Sequence, residues 1–504
     1  MMSLCQRRVF VANRCPRPAA AFWMALCVFQ QRQSFGGCCT TTAAAFSPTL
    51  PVMTKSRQTP TLSGSSSRLA VHDTREKIFI SDAYDGGNIE LIDIQQEKEG
   101  DPVEITLQIK PDPYTELEKK SHFQYFSFRS TLSLEEPCEV IYKISNAKDA
   151  SYAPAWEDYT VAYSNSLSDP HSWNRDASTE YTEDGSLVWK QRHEPPFSST
   201  FFAYFPPFSY ERHLKLIAKS STRAKSVEVL GQTLDGRDIE CIQVGDGPSV
   251  AWIIHRQHPG EHMAEYYAEG LLTRLLGLDN AQGEVDGLVH KLKSLYTFYI
   301  VPSMCPDGGA RGHLRTNAAG ANLNREWASS PGYDAPSLER SPEVYHVLKK
   351  MDQTGCDIFL DIHGDELLPY NFLAQSIVPN WGPRLEALHG AFLAAYSRTN
   401  SDMQQKYAYE VDTYKEGDVL NIATDQIAAR FDCLSATLEM PFKDCASNPD
   451  PSCGWSPTRA YKLGASVLEP LAYIQPYLRA KNEFWNDLPS EDNYVLPTSK
   501  FKPE

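Results

Sequence analysis

Between residues 71 and 215, short runs rich in aromatic and β-branched side chains alternate with polar stretches. Such runs fall at 77–80, 89–94, 103–109, 123–128, 139–144, 160–164 and 187–191. Turn residues punctuate them, as at Asp85-Gly86-Gly87 and Pro111-Asp112-Pro113. Runs of this length bounded by such turns predict an antiparallel β-sandwich domain. From 220 to 480 the pattern changes. Continuous apolar runs at 250–255, 296–301, 358–362 and 434–438 read as buried strands. Helical spacing at 264–276, 343–351 and 425–431 alternates with them. That alternation predicts an α/β domain, with helices covering a mixed, largely parallel sheet. Ligands of such sheets gather at the carboxyl ends of the strands. A polar, proline-containing tail, expected to be loosely ordered, follows residue 481.

Residues 1–70 belong to neither pattern. They contain no Asp or Glu, and the first acid is Asp73. Their Arg-, Ser-, Thr- and Ala-rich composition reads as an organellar (mitochondrial or plastid) transit segment. The short apolar run 19–29 offers secretion as a lesser alternative, and a cytoplasmic protein with a non-addressing extension is another. The eight basic residues of this segment leave 40 of the 48 downstream, against all 64 acids, a net charge of −24. That sign argues against nucleic-acid binding. No run of 18 apolar residues predicts a membrane span. Five of the twelve cysteines precede residue 40, and the other seven are scattered without a CxxC pair. The scatter favours a reducing compartment, with one disulfide among Cys433, Cys445 and Cys453 left open. Oligomeric state leaves no mark on the sequence.

Candidate chemistry collects at the ends of the predicted strands. His258-Pro259-Gly260-Glu261-His262 follows the run 251–254. Imidazole and carboxylate are zinc ligand types. Either His258 and Glu261 bind a metal from a strand-to-helix turn, or His258 and His262 do so from an inverted zincin helix with Glu261 as base. Pro259 pushes His258 toward extended geometry and Gly260 weakens a helix, so the turn is preferred. Asp361-Ile362-His363-Gly364 ends a second strand and Glu439 a third. A carboxylate beside a metal-activated water would be a general base. Arg311, His313, Arg315 and Asn322-Leu323-Asn324-Arg325 form a cationic stretch in an otherwise acidic domain. Arginine suits bidentate capture of a carboxylate.

The order HxxE, Arg, Asn-Arg, His, Glu resembles the M14 metallocarboxypeptidases. Pro306-Asp307-Gly308, Ala321-Asn322-Leu323-Asn324-Arg325-Glu326-Trp327 and Thr437-Leu438-Glu439-Met440-Pro441-Phe442 are similar to the cytosolic carboxypeptidase group, its bacterial-type branch above all. The resemblance spans about residues 75–475. It implies a carboxypeptidase-like fold holding one zinc ion on His258, Glu261 and His363. It implies Glu439 as general base, Arg315 as oxyanion stabiliser, and Asn324 with Arg325 as grip on the substrate's terminal carboxylate. It further implies a tyrosine that covers the substrate, Tyr414 by preference over Tyr407 and Tyr409. The activity implied is removal of C-terminal residues from peptides or protein tails by promoted-water attack, favouring acidic ends. Thr424 and Arg430 are candidates for the pocket of the last side chain. Where relatives carry an acid to orient the zinc histidine, this chain has Asn322. A catalytically silent protein of the same fold that binds peptide tails is the alternative.

Overall fold

The computed structural model describes residues 77–498 apart from 99 and 330–334. The transit reading of residues 1–70 lies outside the described residues. The N-terminal half forms two five-stranded sheets. One runs in the order Ile78–Ser81, Ser127–Ser133, Phe197–Ala203, Ala162–Ser164, Asn174–Arg175. The other runs Glu90–Gln95, Val103–Gln108, Cys138–Ile144, Leu187–His193, Glu180–Tyr181. All pairings are antiparallel except Val103–Gln108 with Cys138–Ile144, which are parallel. Aromatic side chains bridge the sheets, with Tyr142 and Phe202 at 4.7 Å and Phe128 and Trp189 at 6.2 Å between ring centroids. Each such pair adds about 0.5–1.5 kcal/mol beyond its buried area.

Two expectations shift here. The run 123–128 is not itself a strand. It enters one at Ser127, because Gln124 spends its side chain on Tyr152 N–H (2.8 Å) and on the Tyr152 carbonyl (3.2 Å). Phe197–Ala203 is a strand whose alternation is masked by its serines.

The second half is built on one seven-stranded sheet: β1 Ser226–Gln232, β2 Asp238–Val244, β3 Ser249–His255, β4 Tyr296–Val301, β5 Ile358–Ile362, β6 Phe372–Gln375 and β7 Leu434–Glu439. The strand order is β1-β2-β4-β3-β5-β7-β6. Strands β4, β3, β5 and β7 are parallel, while β2 and β6 run against them at either side. Every residue of β5 and β7 is buried, as a strand covered on both faces requires. From β3 the chain crosses to β4 on one side, and from β5 it crosses to β7 on the other. The carboxyl ends of β3 and β5 therefore flank a switch point, the usual place for a ligand.

The halves share a core. Tyr204, just past the last sandwich strand, stacks on Phe442, just past β7, at 4.5 Å. The stretch after 481 packs onto the domain, with Phe484 and the Asp492 side chain buried. Its apolar Phe484 and the Arg398–Asp492 ion pair hold what composition predicted to be loose. The seven cysteines of the described residues are free, Cys433, Cys445 and Cys453 among them.

Candidate active site

Strand β3 ends at His255, and the next residue, Arg256, takes a left-handed backbone (φ 57°). That conformation is strained for a non-glycine residue and persists only when its surroundings enforce it. Here they do. The buried Arg256 guanidinium donates to the Pro259 carbonyl (2.8 Å), the Phe208 carbonyl (3.1 Å), Glu265 (2.6 Å) and His262 Nδ1 (2.7 Å). The turn 257–261 is thereby clamped, and the helix starts only at Met263. No continuous helix joins 258 to 262. His262 Nδ1 also accepts from the Phe208 N–H (2.9 Å). Its imidazole is thus engaged on the far side of the turn, and burial and Arg256 hold it well below the usual histidine pKa.

His258 and Glu261 instead face His363, which follows β5. Their ligand atoms lie within 4.8 Å of one another. His258 Nδ1 is 2.7 Å from Glu261 Oε1, and His363 Nδ1 is 2.9 Å from Glu261 Oε2 and 3.2 Å from His258 Nδ1. A Cβ at Gly364 would stand 3.3 Å from Glu261 Cγ and 2.6 Å from Met263 Sδ, so a larger residue there would displace Met263 and crowd Glu261. The outward nitrogens are occupied too. His258 Nε2 meets Asn322 Oδ1 at 3.0 Å, and His363 Nε2 lies 2.8 Å from Asp361 Oδ2. Gln257 donates to that same Asp361 oxygen (2.6 Å) and accepts from Trp327 Nε1 (2.8 Å). Burial works against a proton on His363, yet Asp361 and Glu261 push its pKa well above the usual range. The position attracts positive charge, and Glu261 turns one carboxylate oxygen to each of the two imidazoles. Two converging imidazoles and a buried carboxylate fit a metal cation of the zinc type.

Parallel register pairs Ile362 with Leu438 and so sets His363 beside Glu439. Burial raises the Glu439 pKa well above the carboxylate range. His363 opposes the shift, and Glu261, Asp365 and Glu366 add to it. Glu439 Oε2 is unpartnered.

Both groups line a cavity of about 440 Å³ together with Arg315, Asn324 and Arg325. The Arg315 loop is held from the other domain. Asp112 accepts from the backbone N–H groups of Leu314 (2.7 Å), Arg315 (2.9 Å) and Thr316 (2.9 Å). Gly260 N–H donates to the Leu314 carbonyl (2.9 Å), tying the same loop to the turn. Asn324 Oδ1 accepts from Ala423 N–H (2.9 Å), which leaves its amide nitrogen for the cavity. Arg311 does not join them; it pairs with Asp235.

Tyr414 lies outside the cavity lining, whereas Tyr409 is part of it. The Tyr409 ring packs on Phe372 (4.8 Å), and its hydroxyl donates to Asp365 (2.6 Å), with Glu439 at 3.3 Å. Thr424 lines the cavity; Arg430 pairs with Asp352 outside it.

The sequence reading passed over Tyr152, Asp365, Glu366 and Asp425, all of which line the cavity. Burial, with Glu261 and Asp365 adding, raises Glu366 to about 8. Asp365 and Glu366 stand directly after the His363 strand end and were within reach of the strand-end argument. Tyr152 comes from the sandwich and has no local signal.

Comparison with known proteins agrees with the fold. Residues 210–452 match the zinc carboxypeptidase family model, and residues 80–205 match the cytosolic carboxypeptidase N-terminal domain. The chain belongs to the M14 zinc carboxypeptidase family and is a metallocarboxypeptidase. It is 38% identical to a metallo-carboxypeptidase of Pseudomonas aeruginosa, covering 80% of this chain and 100% of that one, with a TM-score of 0.69. A metallo-carboxypeptidase of Burkholderia cenocepacia is likewise 38% identical (79% and 99% covered, TM-score 0.69). An uncharacterized protein of Zymomonas mobilis is 40% identical over 395 residues, 78% of this chain and 95% of its own. Cytosolic carboxypeptidase 6 of Caenorhabditis elegans is 23% identical over 253 residues, 48% of this chain and 53% of that protein. Among the described residues, no helix is long and apolar enough to cross a membrane.

Proposed function

We propose that this metallocarboxypeptidase removes single residues from the C-termini of peptides or protein tails, with one zinc ion held by His258, Glu261 and His363. The observation that carries the reading is the convergence of that cluster, Glu439 and two arginines on one cavity. Zinc, when bound, supplies Lewis acidity that makes a water acidic near neutral pH. Glu439 takes the proton of the attacking water and returns it to the leaving amine. The Arg315 guanidinium lines the cavity and takes up the charge that develops on the scissile carbonyl oxygen. Arg325 and the Asn324 amide hold the terminal carboxylate, which restricts action to chain ends. The Tyr409 hydroxyl, in preference to Tyr414, is assigned to cover the substrate.

The Pseudomonas relative is in complex with (2-guanidinoethylmercapto)succinic acid, a compound with carboxylates at one end and a guanidino group at the other. In this chain the carboxylate end suits Arg325. The preference for acidic ends implied by the resemblance asks for a further cation beside the last side chain. Arg315 and Arg325 are the cations of the cavity lining among the described residues, and both are already engaged in this reading.

The test is a metal assay combined with hydrolysis of a C-terminally labelled peptide. The wild type should carry one zinc per chain. Glu439→Gln should keep the metal and lose about 10²–10⁴-fold in kcat. A metal-free wild type, or a Glu439→Gln variant as fast as wild type, overturns the proposal. A metal-loaded wild type that binds peptides without cleaving them favours the silent-binding alternative. Import of the protein into an organelle is also proposed, on the acid-free composition of residues 1–70. A reporter fused to those residues should localise to the organelle, and a diffuse cytosolic signal overturns this.

A further inference from the structure

The terminal residue of a substrate has three directions to fill. Its carboxylate goes to Asn324 and Arg325, and its amide goes toward Glu439 and the His-Glu-His cluster. Its side chain is left with the rest of the lining, of which Ala374, Gln375, Ile377, Ile422, Thr424 and Asp425 form one stretch. Asn324 is bonded to the first residue of the helix Ala423–Phe431, which fixes this wall beside the carboxylate grip.

Among the described residues, Asp425 is the charged group of that stretch. It is 8% exposed. Its Oδ1 accepts from the Ile377 N–H at 2.6 Å. Among the described residues, Oδ2 has no hydrogen-bond partner. The cavity as a whole is acidic. Glu261, Asp365, Glu366, Asp425 and Glu439 line it, against Arg315 and Arg325. An acidic side chain placed on this wall would face a carboxylate with no third cation to pair it, and Arg430 is engaged with Asp352 elsewhere. Like charges brought together without water are strongly disfavoured, and a site selects as much by such repulsion as by attraction.

We infer that the enzyme selects a cationic last residue, lysine or arginine, with Asp425 as the counter-charge at the end of the side-chain pocket, and rejects glutamate and aspartate. This inference rests on the carboxypeptidase reading above. It departs from the acidic-end preference that the family resemblance implies. Gln375, Thr424 and Thr437 add hydrogen-bonding groups around the charge.

The test uses the full chain in zinc-supplemented buffer and peptides identical except for a last Lys, Gln, Leu or Glu. The Lys-ended peptide should exceed the Glu-ended one by about 10²-fold in kcat/KM. Asp425→Asn keeps an acceptor for the Ile377 N–H and removes the charge. It should cut the Lys-over-Leu ratio at least about tenfold, chiefly through KM. A wild-type preference for Glu overturns the inference. So does an Asp425→Asn variant that slows all four peptides alike, since Asp425 would then act only through its neighbour Arg325. Should the wild type cleave none of the four, the parent reading falls, and calorimetry of the same peptides with Glu439→Gln still decides the pocket. Tighter binding of the Lys-ended peptide supports the inference, and equal or reversed affinities sink it.

Discussion

At the scale of single residues, the site depends on side chains that do not themselves touch the metal position. Asn322 holds His258 by its outer nitrogen, with a neutral amide where an acid would add charge. Asn322→Ala should weaken zinc affinity about 10- to 100-fold, read by competition with a chelator. An unchanged affinity would show that His258 needs no such partner. Arg325→Ala should raise KM for free-carboxylate peptides roughly 10- to 100-fold, the range of a lost charge-assisted hydrogen bond. The wild type should leave the same peptides untouched once they are C-terminally amidated. Cleavage of the amidated forms at a comparable rate would remove Arg325 from its assigned role. Glu439, His258 and Glu261 could be read from their strand-end positions. Arg256 could not, because its left-handed backbone has no local signal and its acceptor at Phe208 lies in a segment the sequence gives no reason to join.

At the scale of elements, the loops at the carboxyl edge are fixed by bonds from distant segments. Asp112, four residues past the sandwich strand Val103–Gln108, holds three consecutive N–H groups of the Arg315 loop. Asp112→Ala should lower kcat on the order of 10²-fold by misplacing Arg315, with a smaller effect on KM. Full-chain kinetics with a melting control checks this, and an unaltered kcat means the loop holds its place unaided. A second device is the helix Tyr210–Ser221, whose His213 lies 3.2 Å from both Glu240 of β2 and Glu265 of the helix Met263–Leu276. Burial opposes a proton on His213, but the two carboxylates raise its pKa to about 9. An unfolded histidine titrates near 6.5, so the stabilisation is fully present below about pH 6.5 and is lost as the pH rises through 9. Stability should fall by up to about 3 kcal/mol across that window. Urea unfolding at pH 6 and pH 9.5 measures it, and His213→Gln should flatten the difference. A wild type equally stable at both values would show that His213 is neutral when folded.

At the scale of the whole molecule, the sandwich is part of the catalytic scaffold. It contributes Asp112, Tyr152 at the cavity wall, and Arg175. The Arg175 guanidinium donates to the carbonyls of Phe442 (2.7 Å), Trp455 (3.2 Å) and Cys453 (3.3 Å) in the second domain and of Thr160 (2.8 Å) in its own. Arg175→Ala should destabilise the protein by about 2–4 kcal/mol, because these carbonyls lose a charged donor while buried. Denaturant unfolding would show a lower midpoint. Should the midpoint stay where it is, Arg175 adds nothing to the joining of the halves.

The sequence by itself determined the two-part architecture, the parallel core strands, and the strand ends at which His258, His363 and Glu439 stand. Hydrophobic periodicity is local, and a strand's end is visible where its apolar run stops. It also determined that His258-Pro259-Gly260-Glu261 is a turn, since proline and glycine act through backbone geometry that neighbours seldom override. What covers those ends was decided only by tertiary structure. The choice of Tyr409 over Tyr414 at the cavity depends on packing against Phe372. The orientation of Asn322 toward His258, the grip of Asp112 on the Arg315 loop and the facing of Asp425 into the cavity depend on contacts between residues tens to hundreds of positions apart. Such contacts have no period and no local signature. They follow from register and layer packing, which bring chain segments together after their local structure has been set.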